Sequence, residues 1–327
     1  MRKLLALLTL FVAGQAYGQI SKAGQAGAKF LSLPYSVRGE SMGGAFTAVG
    51  DDPSVVFYNP AGAALVAQRS LYFVAGNWWG SYVSGISYVT PTRRGNFSVF
   101  ISGVYVGGIE AYELTADAQI VYKGTIAYMA SQLGFGYSAF LTDKFAFGVD
   151  MKLIYEGFGG YSTAYSLAID AGTYYHVGFR DLVIASSFRH FGFDLKPSGT
   201  YTRYEYNNGV VENIVEYTSY KLPTVFNLGI SGSLYSNSYS RLRGSVEIVH
   251  PVDNLEYYVV GLEYSILNMV FLRVGYKFYT NEEEAVNGAN GLNAGLGIRY
   301  GKFSLDYGYY MKGIMPPVNQ VSVLYNF

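Results

Sequence analysis

Phe145-Ala146-Phe147-Gly148-Val149-Asp150-Met151-Lys152-Leu153-Ile154-Tyr155-Glu156 alternates with period two. Phe145, Phe147, Val149, Met151, Leu153 and Tyr155 point one way; Ala146, Gly148, Asp150, Lys152 and Glu156 point the other, with Ile154 the one exception. Successive side chains of a strand lie on opposite faces, so this stretch makes a strand with one greasy face and one face of small and charged groups. Residues 292–300 repeat the pattern, with Leu292, Ala294, Leu296, Ile298 and Tyr300 against Asn293, Gly295, Gly297 and Arg299. Residues 303–309 do so again, their aromatic and Leu side chains alternating with Ser304, Asp306 and Gly308. Such strands have two natural homes: a soluble sandwich with its core inside, or a barrel with lipid outside and water within.

The connections decide between them. Working outward, the alternation places strands near 70–77, 83–91, 96–106, 125–141, 145–156, 163–175 and 182–191. It continues near 223–234, 241–249, 255–265, 269–279, 291–300, 303–310 and 320–327. The segments 107–124, 192–222, 280–290 and 311–319 are long, whereas 92–95, 142–144, 266–268 and 301–302 are tight. Long and short connections sort to opposite ends, as extracellular loops and periplasmic turns do, and a sandwich has no reason for such sorting. The expected fold is therefore all-β: a transmembrane antiparallel β-barrel of about fourteen strands over residues 70–327, with both termini periplasmic. Val149, Leu296 and Leu305 are expected to face lipid, and Asp150, Arg299 and Asp306 the lumen.

Composition agrees. Charged residues are 14% and aromatic ones 17%, with 33 Tyr and 40 Gly against 2 Trp, a balance suited to aromatic girdles and a crowded lumen. The 23 basic and 23 acidic side chains cancel, so nothing marks a nucleic-acid surface. The absence of Cys removes disulfides, thiolate metal sites and cysteine nucleophiles together. Met1-Arg2-Lys3, the apolar run from Leu4 to Ala13 and Ala16-Tyr17-Gly18 form the three parts of a secretory signal over residues 1–18. Cleavage after Gly18 would leave Gln19 first, and the apolar run is short of the roughly 20 residues a spanning helix needs.

Residues 19–69 do not alternate. They carry Gly39-Glu40-Ser41-Met42-Gly43-Gly44-Ala45-Phe46, then Asn59-Pro60-Ala61-Gly62. Asn59 suits a helix cap, Pro60 a first helical position, and Ala61 to Leu65 one or two helical turns. A compact segment of small residues attached to a barrel is suited to its lumen, as a partly helical plug. Gly62 is expected to be small because the wall approaches there.

Gly27-Ala28-x-Phe30-Leu31, Arg38-Gly39-x-x-Met42-Gly43-Gly44-Ala45-Phe46-x-Ala48-Val49-x-Asp51-Asp52 and Tyr58-Asn59-Pro60-Ala61-Gly62 resemble the PorV/PorQ family, which is related to the FadL-type fatty-acid channels. Leu222-Pro223 leading into Asn227-Leu228-Gly229, residues 271–278 and residues 303–307 extend the resemblance across the mature chain. The resemblance implies a fourteen-stranded outer-membrane barrel with an N-terminal plug. It implies a role in type IX secretion or surface attachment, with secretion-system proteins or secreted cargo meeting outer loops such as 192–222 and its arms 201–206 and 210–217. The alternative is a FadL-like channel for hydrophobic small molecules such as long-chain fatty acids. The last strand, ending on Phe327, resembles the signal read by the barrel-assembly machinery, the remaining expected partner besides outer-membrane lipid.

Chemistry is otherwise sparse. No Ser/His spacing enforces a lipase site, so His176, His190 and His250 read as polar rim residues and the chain as no enzyme. No cofactor is expected. Glu282-Glu283-Glu284 lacks the spacing of a calcium loop and reads as a solvated outer loop. Besides Asp150 and Lys152, the inward faces of five consecutive strands carry Arg243 and Glu247, Glu263, Arg273 and Lys277, Arg299, and Asp306. These read as a lumen network holding wall and plug, or as a selectivity lining for a solute.

Overall fold

The computed structural model describes residues 24–115, 117, 119–206, 210–279, 291–313 and 315–327. The expected leader at 1–18, a terminus at Gln19 and the run Glu282-Glu283-Glu284 lie outside the described residues. Strands β1 (Ser70–Trp78), β2 (Ser81–Thr92), β3 (Gly95–Leu114), β4 (Ile120–Phe140), β5 (Phe145–Phe158), β6 (Ser162–His176) and β7 (Val183–Gly192) come first. After β8 (Thr200–Tyr206) and β9 (Val210–Glu216) follow β10 (Val225–Ser236), β11 (Ser240–Pro251), β12 (Tyr257–Ile266) and β13 (Val270–Tyr279). The chain closes with β14 (Leu292–Tyr300), β15 (Phe303–Lys312) and β16 (Met315–Asn326).

Each wall strand pairs antiparallel with its neighbours, and β1 pairs with β16 in the register Ser70↔Asn326 to Asn77↔Asn319. The sheet is thus a closed barrel of fourteen strands, with β8 and β9 apart as a two-stranded sheet in the connection from β7 to β10. Closure leaves no unpaired edge in the wall. Val149, Leu296 and Leu305 are exposed outward at 43%, 43% and 52%, while Asp150 and Asp306 are buried on the inner face. Soluble monomers rarely expose more than isolated apolar patches, so an apolar belt around the whole barrel is a hydrocarbon-facing wall. The end of the barrel that carries residues 193–224 is its outer end and the opposite one its inner end.

Two connections expected to be long loops are not. Within 107–124 the ladder continues, with irregular register between Val106 and Ile109 and between Ala111 and Tyr112, and Tyr112 and Tyr122 pair across it with ring centroids 5.5 Å apart. β3 therefore stands well above the wall. Within 311–319, Pro316 and Pro317 have no N–H to give a ladder, yet β16 begins at Met315. The irregular register between Tyr310 and Lys312 absorbs them, as bulges commonly do for residues that cannot donate to a ladder.

Residues 24–69 fill the lumen. They fold as 3-10 turns at Lys29–Ser32, Pro53–Phe57 and Pro60–Leu65, with one short α-helix, α1 (Val37–Ser41). The helical turns expected after Asn59 are 3-10 in form, and the α-helical segment lies instead over Arg38-Gly39, where Ser36 caps it by accepting from Gly39 N. Phe30, Tyr35, Val37, Phe46 and Val55 pack with inward wall residues such as Tyr72, Phe100 and Tyr310 in one cluster. The apolar core of the molecule is therefore the contact between plug and wall.

Candidate functional site

A chain of ion pairs runs from plug to wall. α1 presents Arg38, whose Nε and Nη2 donate to the Glu263 carboxylate at 2.7 and 2.8 Å. Its Nη1 donates to Asp52 at 2.9 Å and pairs with Asp51. Glu263 lies opposite Arg273 in the β12–β13 ladder and accepts from its Nε at 2.7 Å. Arg273 Nη1 then donates to Asp306 at 2.5 Å. Such charges tolerate burial only because each has an opposite neighbour in hydrogen-bond geometry.

Three more contacts seat the plug. Glu40 accepts from Lys312 at 2.5 Å and lies 3.3 Å from Lys277, while Asn293 donates to its carbonyl at 2.8 Å. Glu247 accepts from Thr47 N and Oγ1 at 3.0 and 2.7 Å and from Asn227 at 2.6 Å. Asn59 Oδ1 accepts from Ala61 N at 3.0 Å, and its amide donates to Thr47 O and Thr173 O at 3.0 and 3.1 Å. One side chain thus caps a 3-10 turn and ties it to β6. Arg243 lies 3.5 Å from Asp51, and Arg299 stacks over Phe271 at 5.0 Å.

Glycines set how closely plug and wall approach. Gly43 and Gly44 adopt φ of 74° and 97°, and a Cβ on Gly43 would meet Val259 of β12 and Tyr276 N of β13. Beneath Asn59 and Pro60 the room comes from the wall, at Gly148 and Gly172, where any Cβ would collide with the plug. Gly62 is small because Val55 of the plug itself, not the wall, packs on it. The turn at Asn59 to Gly62 rests on glycines of β5 and β6.

A second buried cluster lies on β5 to β7. Lys152 Nζ lies 2.6 Å from Asp170 and 2.6 Å from His190 Nδ1, and Asp170 accepts from His190 N at 2.7 Å. Asp150 is opposite Asp170 in the ladder, and its Oδ2 has no hydrogen-bond partner. His190 is thus not a rim residue. By strand parity it should face outward behind inward Arg189, but its φ of 62° turns it into the lumen. His250 is exposed at the outer end of β11, 2.6 Å from Glu256, and His176 ends β6 at the inner end. Phe327 packs its ring on Tyr325 and Tyr88, outside the wall.

Sequence reading missed Arg38, Glu40, Asp51 and Asp52, which lie in an aperiodic segment with no face to read. It also passed over Asp170, although alternation with Leu167 and Ile169 already placed that residue inside.

At the outer end a cavity of about 390 Å³ opens above the plug. Glu40, Gly43, Gly44 and Tyr58 belong to its plug side, and Val225, Val259, Tyr257 and Lys277 to its wall. Arg189 lines it as well, donating to Phe57 O at 2.5 Å and stacking over Tyr58 at 5.7 Å. Its Nε is buried without a hydrogen-bond partner, and no carboxylate pairs with it among the described residues.

No family model matches the sequence, and no curated protein matches it. Solved structures do. The toluene transporter TbuX of Ralstonia pickettii superposes with a TM-score of 0.60 at 13% identity, over 90% of this chain and 98% of that one. The toluene transporter TodX of Pseudomonas putida gives 0.60 at 11% identity, over 89% and 96%. The CymD monoaromatic hydrocarbon channel gives 0.59 at 12% identity, over 90% and 97%. The fold is that of the FadL-like barrels.

Proposed function

We propose that this chain is an outer-membrane barrel of FadL-like type that passes small amphipathic solutes, with residues 24–69 as its plug. The observation that carries this reading is the outer cavity: the plug forms its floor, so a bound solute and a seated plug share residues. The cavity wall mixes Val, Pro and Tyr with Arg189, a half-buried cation that no carboxylate pairs with among the described residues. A small molecule with an apolar body and an anionic head, a short fatty acid or an aromatic carboxylate, satisfies both. That the barrel shares its fold with hydrocarbon transporters supports the reading. The test is uptake of octanoate into vesicles holding the purified barrel, together with its binding in detergent. Arg189→Gln should weaken binding by about tenfold, the worth of one charge-assisted hydrogen bond. Uptake no faster than into empty vesicles would refute it.

A second reading is a surface role in type IX secretion of PorV/PorQ type. It is favoured by β8–β9, which stands outside the wall as a hairpin with open edges and carries Ile214 at 79% exposure. An exposed strand edge can accept an extended segment of a secreted protein. Deleting residues 200–216 would then change the secretome and leave solute uptake unchanged.

A further inference from the structure

The inner end of the barrel carries cations that no element of the wall or plug uses. The turn from β2 to β3 consists of Arg93 and Arg94 alone. Two-residue hairpin turns favour Asn, Asp and Gly, so the turn itself has no need of two arginines. It is held without their side chains: Thr92 Oγ1 donates to Gly95 O at 2.5 Å, and Tyr137 Oη donates to Arg94 O at 2.6 Å. Both arginines are exposed, and no ion pair involves either guanidinium among the described residues. They line a cavity of about 240 Å³ whose remaining wall includes Asn96, Ser138, Phe140 and Ala64 of the plug.

Two further observations place this cavity at a headgroup layer. The turn itself stands at the rim between the two faces of the wall, and on the outward face of the same strands, across the wall from Asn96 and Ser138, Phe97, Tyr137 and Phe147 of β5 lie in series, with centroids 5.2 and 6.0 Å apart. Aromatic side chains gather where hydrocarbon gives way to headgroups. Around the same rim stand Arg69, Lys144, Arg180 and Lys302, all exposed, against the acids Asp143 and Asp181, the latter taken by Arg241. Among the described residues the outer end is nearer balance: Glu113, Glu205 and Glu216 pair with Lys123, Arg203 and Lys196, and Glu110, Asp117, Asp194 and Glu212 are exposed together with Lys29 and Lys221.

We infer that the Arg93–Arg94 turn is a binding site for the phosphate of an anionic phospholipid in the inner leaflet. Guanidinium forks match phosphate oxygens bidentately, and two adjacent forks above an aromatic girdle suit a headgroup whose acyl chains descend along Phe97 and Tyr137. Because Asn96, in the same cavity, donates to Ala63 O and Val66 O at 2.7 and 2.9 Å, the bound lipid would brace the plug where it joins β1. The inference rests on the barrel lying in a membrane and not on what passes through it.

The test is native mass spectrometry of the full chain, released from detergent after doping with phosphatidylglycerol or phosphatidylcholine. The wild-type barrel should retain phosphatidylglycerol in preference. An Arg93→Gln/Arg94→Gln variant should lose that preference by roughly tenfold or more, as expected for two cations removed from an anionic surface. The Arg93→Lys/Arg94→Lys variant keeps charge but not the forks and should fall between them, which keeps the inference testable if the neutral variant does not fold. Excess inorganic phosphate should leave the lipid in place; displacement would assign the seat to a free anion and overturn the lipid reading. Equal retention of the two lipids by the wild type, or equal retention of phosphatidylglycerol by the folded wild type and neutral variant, would also overturn it.

Discussion

Arg38 and Glu263 are 225 residues apart in sequence, yet the guanidinium of one grips both carboxylate oxygens of the other, at 2.7 and 2.8 Å. This fork joins plug to wall, and through Arg273 it continues to Asp306 on the third strand along. Glu263→Gln should leave two buried arginines short of charge and cost about 3–5 kcal/mol, the usual loss when one partner of a buried pair is removed. The loss should appear as earlier proteolysis of residues 24–69 and a lower melting temperature. Unchanged protease resistance would show that the fork does not hold the plug.

Asn59 is a smaller anchor. Asn59→Ala removes the cap on Ala61 N and the ties to Thr47 and Thr173, and should cost about 0.5–2 kcal/mol. Hydrogen exchange should quicken in residues 53–66 and stay unchanged in β5 and β6. Faster exchange throughout the wall would mean that the plug is part of the barrel's own stability rather than a body seated in it.

The two faces of the wall should respond differently to charge. Leu296→Arg places a cation against hydrocarbon and should cost about 2–4 kcal/mol near the midplane. Ser187→Ala, at a buried inner-face hydroxyl with no hydrogen-bond partner among the described residues, should be close to neutral. Folding titrations in lipid would measure both, and equal effects would reverse the assignment of inside and outside.

Phe327 offers a test of assembly apart from stability. Its ring lies outside the wall against Tyr88 and Tyr325, and its N–H donates to Arg69 O at 2.9 Å. Removing Phe327 should reduce the assembled barrel recovered from cells while the isolated protein still folds in detergent. Full recovery in cells would remove its proposed role as an assembly signal.

The wall was legible because lipid on one side and a packed lumen on the other impose one rule on every residue: Val149 out, Asp150 in. That rule does not say where a strand stops. Tyr112 and Tyr122 continue the β3–β4 ladder beyond the membrane because cross-strand aromatic pairs stabilise it in water too. Nor does it survive a change of backbone hand, which is why His190 turns inward beside Arg189 when alternation puts them on opposite faces. The plug was legible as a segment, through Gly43-Gly44 and Asn59-Pro60, but its ion pairs were not. Arg38 meets Asp51 and Asp52 through the fold of an aperiodic segment, and Glu263 is brought to it only when the barrel closes.

Passage of a solute through the lumen, as proposed above, requires the plug to move. Ala48 and Gly229 lie face to face across the contact between plug and wall, a Cβ on Gly229 coming 3.3 Å from that of Ala48. This is near the spacing of a disulfide, and the sequence has no Cys to interfere. The Ala48→Cys/Gly229→Cys barrel in vesicles should take up octanoate when reduced, stop when oxidised, and recover on renewed reduction. Uptake at the same rate with the cross-link formed would show that solute does not need the plug to move.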